Sequence, residues 1–296
     1  MGDGFDVYFD ETLTSAQRGL AEQSIALSVK RSQEAANSVR AKMVEDDQLR
    51  DALAAPLAKL IQADPEAAAA LEKLGKRQIE LQDSLRPDVT PLPIPDQTFP
   101  TIPIDRSFVY RRAPYDFAWN WHDTGGAPPF TQLGAPDGDL RLEARAGSVP
   151  GGADRRVDAH IGVGCIVQID RPSAIDLYAT RDSRHSFHME SRGVGSNATS
   201  EGGLEVSFIK GGTQVLLGGT LPLWRRRVSG FEEARDNTNF SEGIYPNGLG
   251  GRVDPGEYAY NVGIRVFVDY SNGVGAAAVQ AIVQSNILNM QIHWRK

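Results

Sequence analysis

His185, His188 and Glu190 lie close together and carry the donor types of a zinc centre, imidazole nitrogen and carboxylate oxygen. The segment alternates like a strand, however, and a side-chain period of two puts His185 and His188 on opposite faces, leaving only Glu190 beside His188. Helical spacing would bring both imidazoles together, so the metal reading requires the strand reading to fail. His122-Asp123 is a second acid–imidazole pair. With a remote serine it could assemble a hydrolytic triad, but no Gly-x-Ser-x-Gly turn accompanies it. The sole cysteine, Cys165, shares the apolar phase of Ile161, Val163, Val167 and Ile169, where a buried and inert thiol is expected. The glycines of 248–251 and 273–275 lack the Lys-Ser/Thr and strand-to-helix setting of a phosphate loop and read as turns.

Recognition chemistry is concentrated in 235–257. This segment lacks alternation, is longer than most connections in a compact domain, and carries Asp236, Asn239, Tyr245, Asn247 and Arg252. Tyr245 could stack on a sugar or a partner side chain while Asn247, Asp236, Asn239 and Arg252 bond hydroxyls. The oxygen-rich stretch 236–242 could also hold calcium, although its spacing is not that of an EF-hand. The plainer alternative is a structural excursion across one end of a sandwich. Arg225-Arg226-Arg227 is the only concentrated basic run, and alternation splits it between two faces, as on a solvated strand edge. The sequons at Asn197 and Asn239 are read as chance, because no export signal is seen.

Composition excludes several functions. The net charge of -7, of which residues 1–90 with 16 acidic and 11 basic side chains carry -5, offers no positive excess for phosphates, so nucleic acid is not expected as a partner. One cysteine allows neither an intrachain disulfide nor a thiolate zinc site. No run of about 18 apolar residues is present, so no transmembrane helix is expected. The acidic start of the chain does not resemble a signal peptide, which fits a cytoplasmic protein or a part of a larger assembly.

The elements that must position these residues fall into two classes. Residues 1–90 hold four of the 30 glycines and three of the 23 aromatics, a helical composition. Thr14 and Gln17 read as a capping box, and Leu13, Ala16, Leu20 and Leu27 as the first apolar stripe. Leu49, Leu53, Leu57 and Leu60 form a second stripe, interrupted at Pro56, where a kink or break is expected. Asp64 as cap and Pro65 at the first position open a further helix, with Leu71, Leu74, Leu81 and Leu85 on one face. Residues 1–86 are thus a helical segment that pairs within the chain or as a coiled coil between chains. Six prolines between Pro87 and Pro103 make 87–106 a linker.

From 107 to 296 the pattern is β. Tyr115, Phe117, Trp119 and Trp121 share one side of a strand, Leu140 to Ala146 alternate with charges, and further strands centre on 161–169, 175–180, 186–191, 204–209, 215–224, 258–270 and 279–294. The apolar phase of the last strand changes near Asn286, which predicts a bulge, and its pattern continues to Trp294. About nine or ten such strands without intervening helices argue for an antiparallel sandwich, jelly-roll-like, so the whole chain is α+β. The expected function is a non-catalytic structural or binding protein that self-associates or docks through its helices, as in an appendage or assembly component. The alternatives are a carbohydrate-binding, lectin-like module and, third, a hydrolase.

Overall fold

The computed structural model describes residues 5–84, 108–124, 130–133, 136–147, 156–211, 214–244, 250–271 and 274–295. The 87–106 linker, Tyr245 and Asn247 lie outside them. The first sheet runs β1 (Phe5–Phe9), β3 (Phe117–Thr124), β6 (Arg156–Ile169), β12 (Gly256–Ser271), β8 (Asn197–Lys210) and β9 (Gln214–Ser229). The second runs β10 (Glu233–Ile244), β7 (Ser173–Val194), β13 (Val274–Arg295), β5 (Asp139–Gly147) and β4 (Phe130–Leu133). β11 (Gly250–Val253) continues the β10 edge of β7, and β2 (Phe108–Arg111) pairs with β13. Every pairing is antiparallel.

The two sheets pack face to face because each strand offers one apolar side. Val157, Ala159, Ile161, Val163, Cys165, Val167 and Ile169 of β6 meet Leu140 and Leu142 of β5 and Val279, Ala281 and Val283 of β13 in one core. The phase change expected near Asn286 is realised as a register shift between Ile287 and Asn289, after which Met290 and Ile292 point inward. The strands expected at 175–180 and 186–191 are one strand, β7. Its polar middle reads as a turn in sequence, but it pairs continuously with β10, and Ser183 meets Ser285 at 2.7 Å inside the sandwich.

Close packing has one sharp requirement at β8. Gly202 lies under the Trp224 indole, and a Cβ there would sit 1.9 Å from ring carbons. Gly202→Ala should therefore cost about 1–3 kcal/mol through overpacking. Urea denaturation would measure it, and an unchanged midpoint would refute the packing argument.

The N-terminal segment opens with a strand, which composition did not reveal. β1 pairs with β3, and helix α1 (Ser15–Ala63) then lies on the outward face of the first sheet. Its capping box is formed as expected by Thr14 and Gln17. The residues that α1 buries are Ala21, Ser24, Ile25, Val29 and Ser32, at spacings of three and four, against Phe117, Trp119, Ile166 and Ala259. Leu27, on the predicted stripe, is outside this contact: small side chains let the helix come close enough for Ser28 Oγ to donate to Ser207 at 2.6 Å. The aromatic side of β3 is thus core, but core beneath α1 and not between the sheets.

Pro56 does not end α1. Its missing amide frees the carbonyl of Ala52, and both residues face solvent, where water replaces the lost bond. The break comes at Asp64, whose carboxylate accepts from Glu66 and Ala67 and starts α2 (Pro65–Ser84). α2 contacts α1 and reaches β7 and β13. Leu49, Leu53, Leu57 and Leu60 remain 68, 82, 51 and 68% exposed.

Candidate functional site

Three polar arrangements stand out, one of them sealed. Even-numbered residues of β6 face outward, which places Asp158 and His160 under α1 beside Glu205 of β8 and Arg265 of β12. His160 Nδ1 lies 2.9 Å from Glu205 and its Nε2 3.2 Å from Asp158. Arg265 Nε donates to Asp158 at 3.3 Å, and its Nη1 reaches the Ser32 carbonyl of α1 at 3.5 Å. Burial alone would lower the His160 pKa, but the Glu205 carboxylate, aided by Asp158, outweighs it and pushes the value up to about 9. The imidazole is fully enclosed, with Trp121 edge-on at 5.2 Å. No substrate can reach it, so the group is a clasp holding α1 to the sheet. Beside it, Glu201, Pro222, Trp224, Arg225 and Arg265 line an open cleft in which Arg225 pairs with Glu201 at 3.0 Å. The basic run lies on β9, the edge of the first sheet, as its alternation predicts.

The outward face of the second sheet is polar along much of its length. Gln280 donates to Glu143 at 3.0 Å, Arg184 to Gln284 at 3.2 Å and Gln291 to Asn289 at 2.8 Å. Tyr178 and His293 meet edge to face at 4.7 Å, and His293 Nε2 lies 2.8 Å from Gln291 Oε1. Gln280, Gln284, Asn289 and Gln291 are buried and held in these bonds, whereas Tyr178 and His293 are half-buried and offer an aromatic surface.

The third arrangement straddles β7 and β10. His188 and Glu190 share the outward face, as the alternation predicts, and β10 adds Glu233 opposite Glu190. His185 turns inward and stacks on Trp224 at 4.6 Å, where burial lowers its pKa.

The predicted recognition segment is not a long irregular loop. Residues 233–244 form β10 along β7, and 250–253 form β11. The reason is positional: on an edge strand both faces tolerate polar residues, so the alternation that marks a buried strand is lost although the backbone ladder is intact. Asp236 lies opposite Phe187, with a carboxylate oxygen 3.8 Å from His185, and Asn239 lies opposite Arg184. Arg252 lies opposite Ala174. Phe187 and Ala174 are thirteen residues apart on β7, about 43 Å at strand rise, so Asp236 and Arg252 do not converge. Elsewhere, Asp123 is ion-paired with Arg156 and not with His122. Cys165 is buried 3.9 Å from the Met290 sulfur, and its thiol pKa is raised by burial.

No family model matches the chain, and no curated protein does. Among solved structures, a CBM4 structure aligns at 14% identity and TM-score 0.19, covering 56% of this chain and 89% of that one. A structure of the Gx strain of infectious bursal disease virus aligns at 7% identity and TM-score 0.17, covering 60% of this chain and 40% of that one. A Clostridium thermocellum xylanase 10B structure of CBM22-1 and GH10 modules aligns at 10% identity and TM-score 0.15, with coverages of 54% and 26%. Likenesses this weak assign neither family nor function. Among the described residues, no helix is long and apolar enough to cross a membrane.

Proposed function

We propose that the protein is a non-catalytic assembly component: a jelly-roll body carrying a helical arm through which two copies associate. The jelly-roll reading is supported by strand order. β5-β13-β7-β10 faces β6-β12-β8-β9, so that successive strands from β5 to β8 alternate between sheets and the last two strands insert between earlier ones, one in each sheet. The observation that carries the assembly reading is the leucine stripe of α1. Leu49, Leu53, Leu57 and Leu60 span eleven residues in three steps, close to the 3.6-residue turn of a straight helix, and all four face solvent. The first half of α1 is pinned to the first sheet and α2 reaches β7 and β13, while the stripe between them stays on the solvent side. A second copy related by a two-fold axis offers the same aliphatic surface and can bury it. Light scattering on the intact chain should read a mass that rises with concentration toward twice the 32.2 kDa chain mass. A monomer at all accessible concentrations would sink the reading.

The second reading is glycan binding on the outward face of the second sheet, supported by the half-buried Tyr178–His293 pair. The Tyr245 segment, with Asn247, belongs to the same proposal. A glycan array should then show a ligand whose binding falls at least tenfold in Tyr178→Ala while the melting temperature holds. An empty array, with and without calcium, would rule this reading out.

A further inference from the structure

The geometry points to a divalent-metal site formed by His188, Glu190 and Glu233, for zinc or another late first-row ion. Nε2 of His188 lies 3.2 Å from Oε1 of Glu190 and 3.3 Å from Oε1 of Glu233, and the three donor atoms all lie within 4.8 Å of one another. Tetrahedral zinc with ligands near 2.0–2.1 Å holds its donors roughly 3.3 Å apart, so two of the three edges already have the required length. A small rotation of the exposed Glu233 carboxylate closes the third.

Two further features indicate a metal site and not an incidental charge cluster. His188 is only 9% exposed, yet its Nε2 forms no hydrogen bond, although it is aimed between two carboxylates. A metal ion would satisfy that nitrogen while drawing in both Oε1 atoms. The carboxylates are also divided in function. Each turns Oε1 to His188 and Oε2 toward Arg192, whose Nε lies 3.8 Å from Glu190 and whose Nη2 lies 3.5 Å from Glu233. Arg192 is therefore a positioning residue, of the kind that orients ligating carboxylates from outside the coordination shell. One imidazole and two carboxylates suit zinc better than calcium or magnesium, which favour all-oxygen shells. Three protein donors leave a fourth position, on the side of the half-exposed Glu233, for water or an oxygen ligand. The ion would cross-link β10 to β7 near one end of that edge.

Titrating Zn2+ into untagged, chelator-treated protein by calorimetry tests the site. The expected result is one ion per chain, with affinity at least tenfold weaker in Glu233→Gln, lost in His188→Asn/Glu233→Gln, and retained in His122→Ala, which leaves the three donors in place. Circular dichroism and a metal-free melting curve confirm that each variant is folded, and the exposed Glu233→Gln keeps the test valid should His188→Asn unfold. No Zn2+ binding by the intact chain would overturn the proposal, as would equal binding by Glu233→Gln. Comparable affinity for Mg2+ would overturn the choice of ion class.

Discussion

Raising the pH from 6.5 to 9 is expected to cost the protein roughly 3 kcal/mol of stability, and His160→Asn is expected to remove most of that dependence. The folded-state pKa of His160, about 9, lies above the ordinary 6.5, so its contribution is complete below 6.5 and is lost as pH rises through 9. The groups facing the imidazole are Glu205, Asp158, Arg265 and the Trp121 ring, with the α1 backbone at Ser32 closing over Arg265. Protonated His160 and Arg265 balance two carboxylates in a site that excludes water. Deprotonation leaves one buried carboxylate uncompensated, which is expensive in a low-dielectric interior. Because the clasp lies between α1 and the first sheet, the loss should loosen the helix before the sandwich. Urea denaturation across the pH series measures the effect, and equal slopes for the intact chain and His160→Asn would contradict it.

Leu53→Glu/Leu57→Glu is expected to convert an associated protein into a monomer while leaving its melting temperature almost unchanged. Leu53 and Leu57 are 82 and 51% exposed, so the substitutions remove little packing within the chain, and surface changes of this kind usually stay within about 0.5 kcal/mol. Between copies the cost is large. Each fully buried leucine contributes on the order of 1.5–3 kcal/mol, and four acidic groups would be forced together across a two-fold seam. Separating the two readouts distinguishes a seam between copies from a face the chain needs for its own folding.

Much of the fold is legible because it follows from local pattern. The capping box at Thr14, the Asp64-Pro65 helix start, the strand alternation and the phase change near Asn286 are each written in adjacent residues. What is not legible depends on partners distant in sequence. β10 and β11 look like loop because an edge strand has no side that must be apolar. The His188–Glu190 face is visible, but Glu233 joins it only once β10 is placed beside β7. The His160 clasp draws on β6, β8, β12 and α1, and no spacing rule links residues so far apart; the one available hint is Asp158 and His160 on the outward phase of an otherwise apolar strand. Leu27 misleads because large apolar residues dominate a sequence stripe: Leu13 and Leu20 do pack at the helix–sheet contact, but its buried centre is Ala21, Ser24, Ile25, Val29 and Ser32, of which the alanine and the two serines permit close approach.

The arm is tested most directly by sedimentation equilibrium of the intact chain beside Leu53→Glu/Leu57→Glu over a range of micromolar concentrations, with circular dichroism to confirm equal helix content. The intact chain should show a mass that rises above 32.2 kDa toward twice that value, and the variant should remain at 32.2 kDa. An intact chain that stays at 32.2 kDa throughout, or a variant that associates as strongly, would contradict self-association through the leucine stripe.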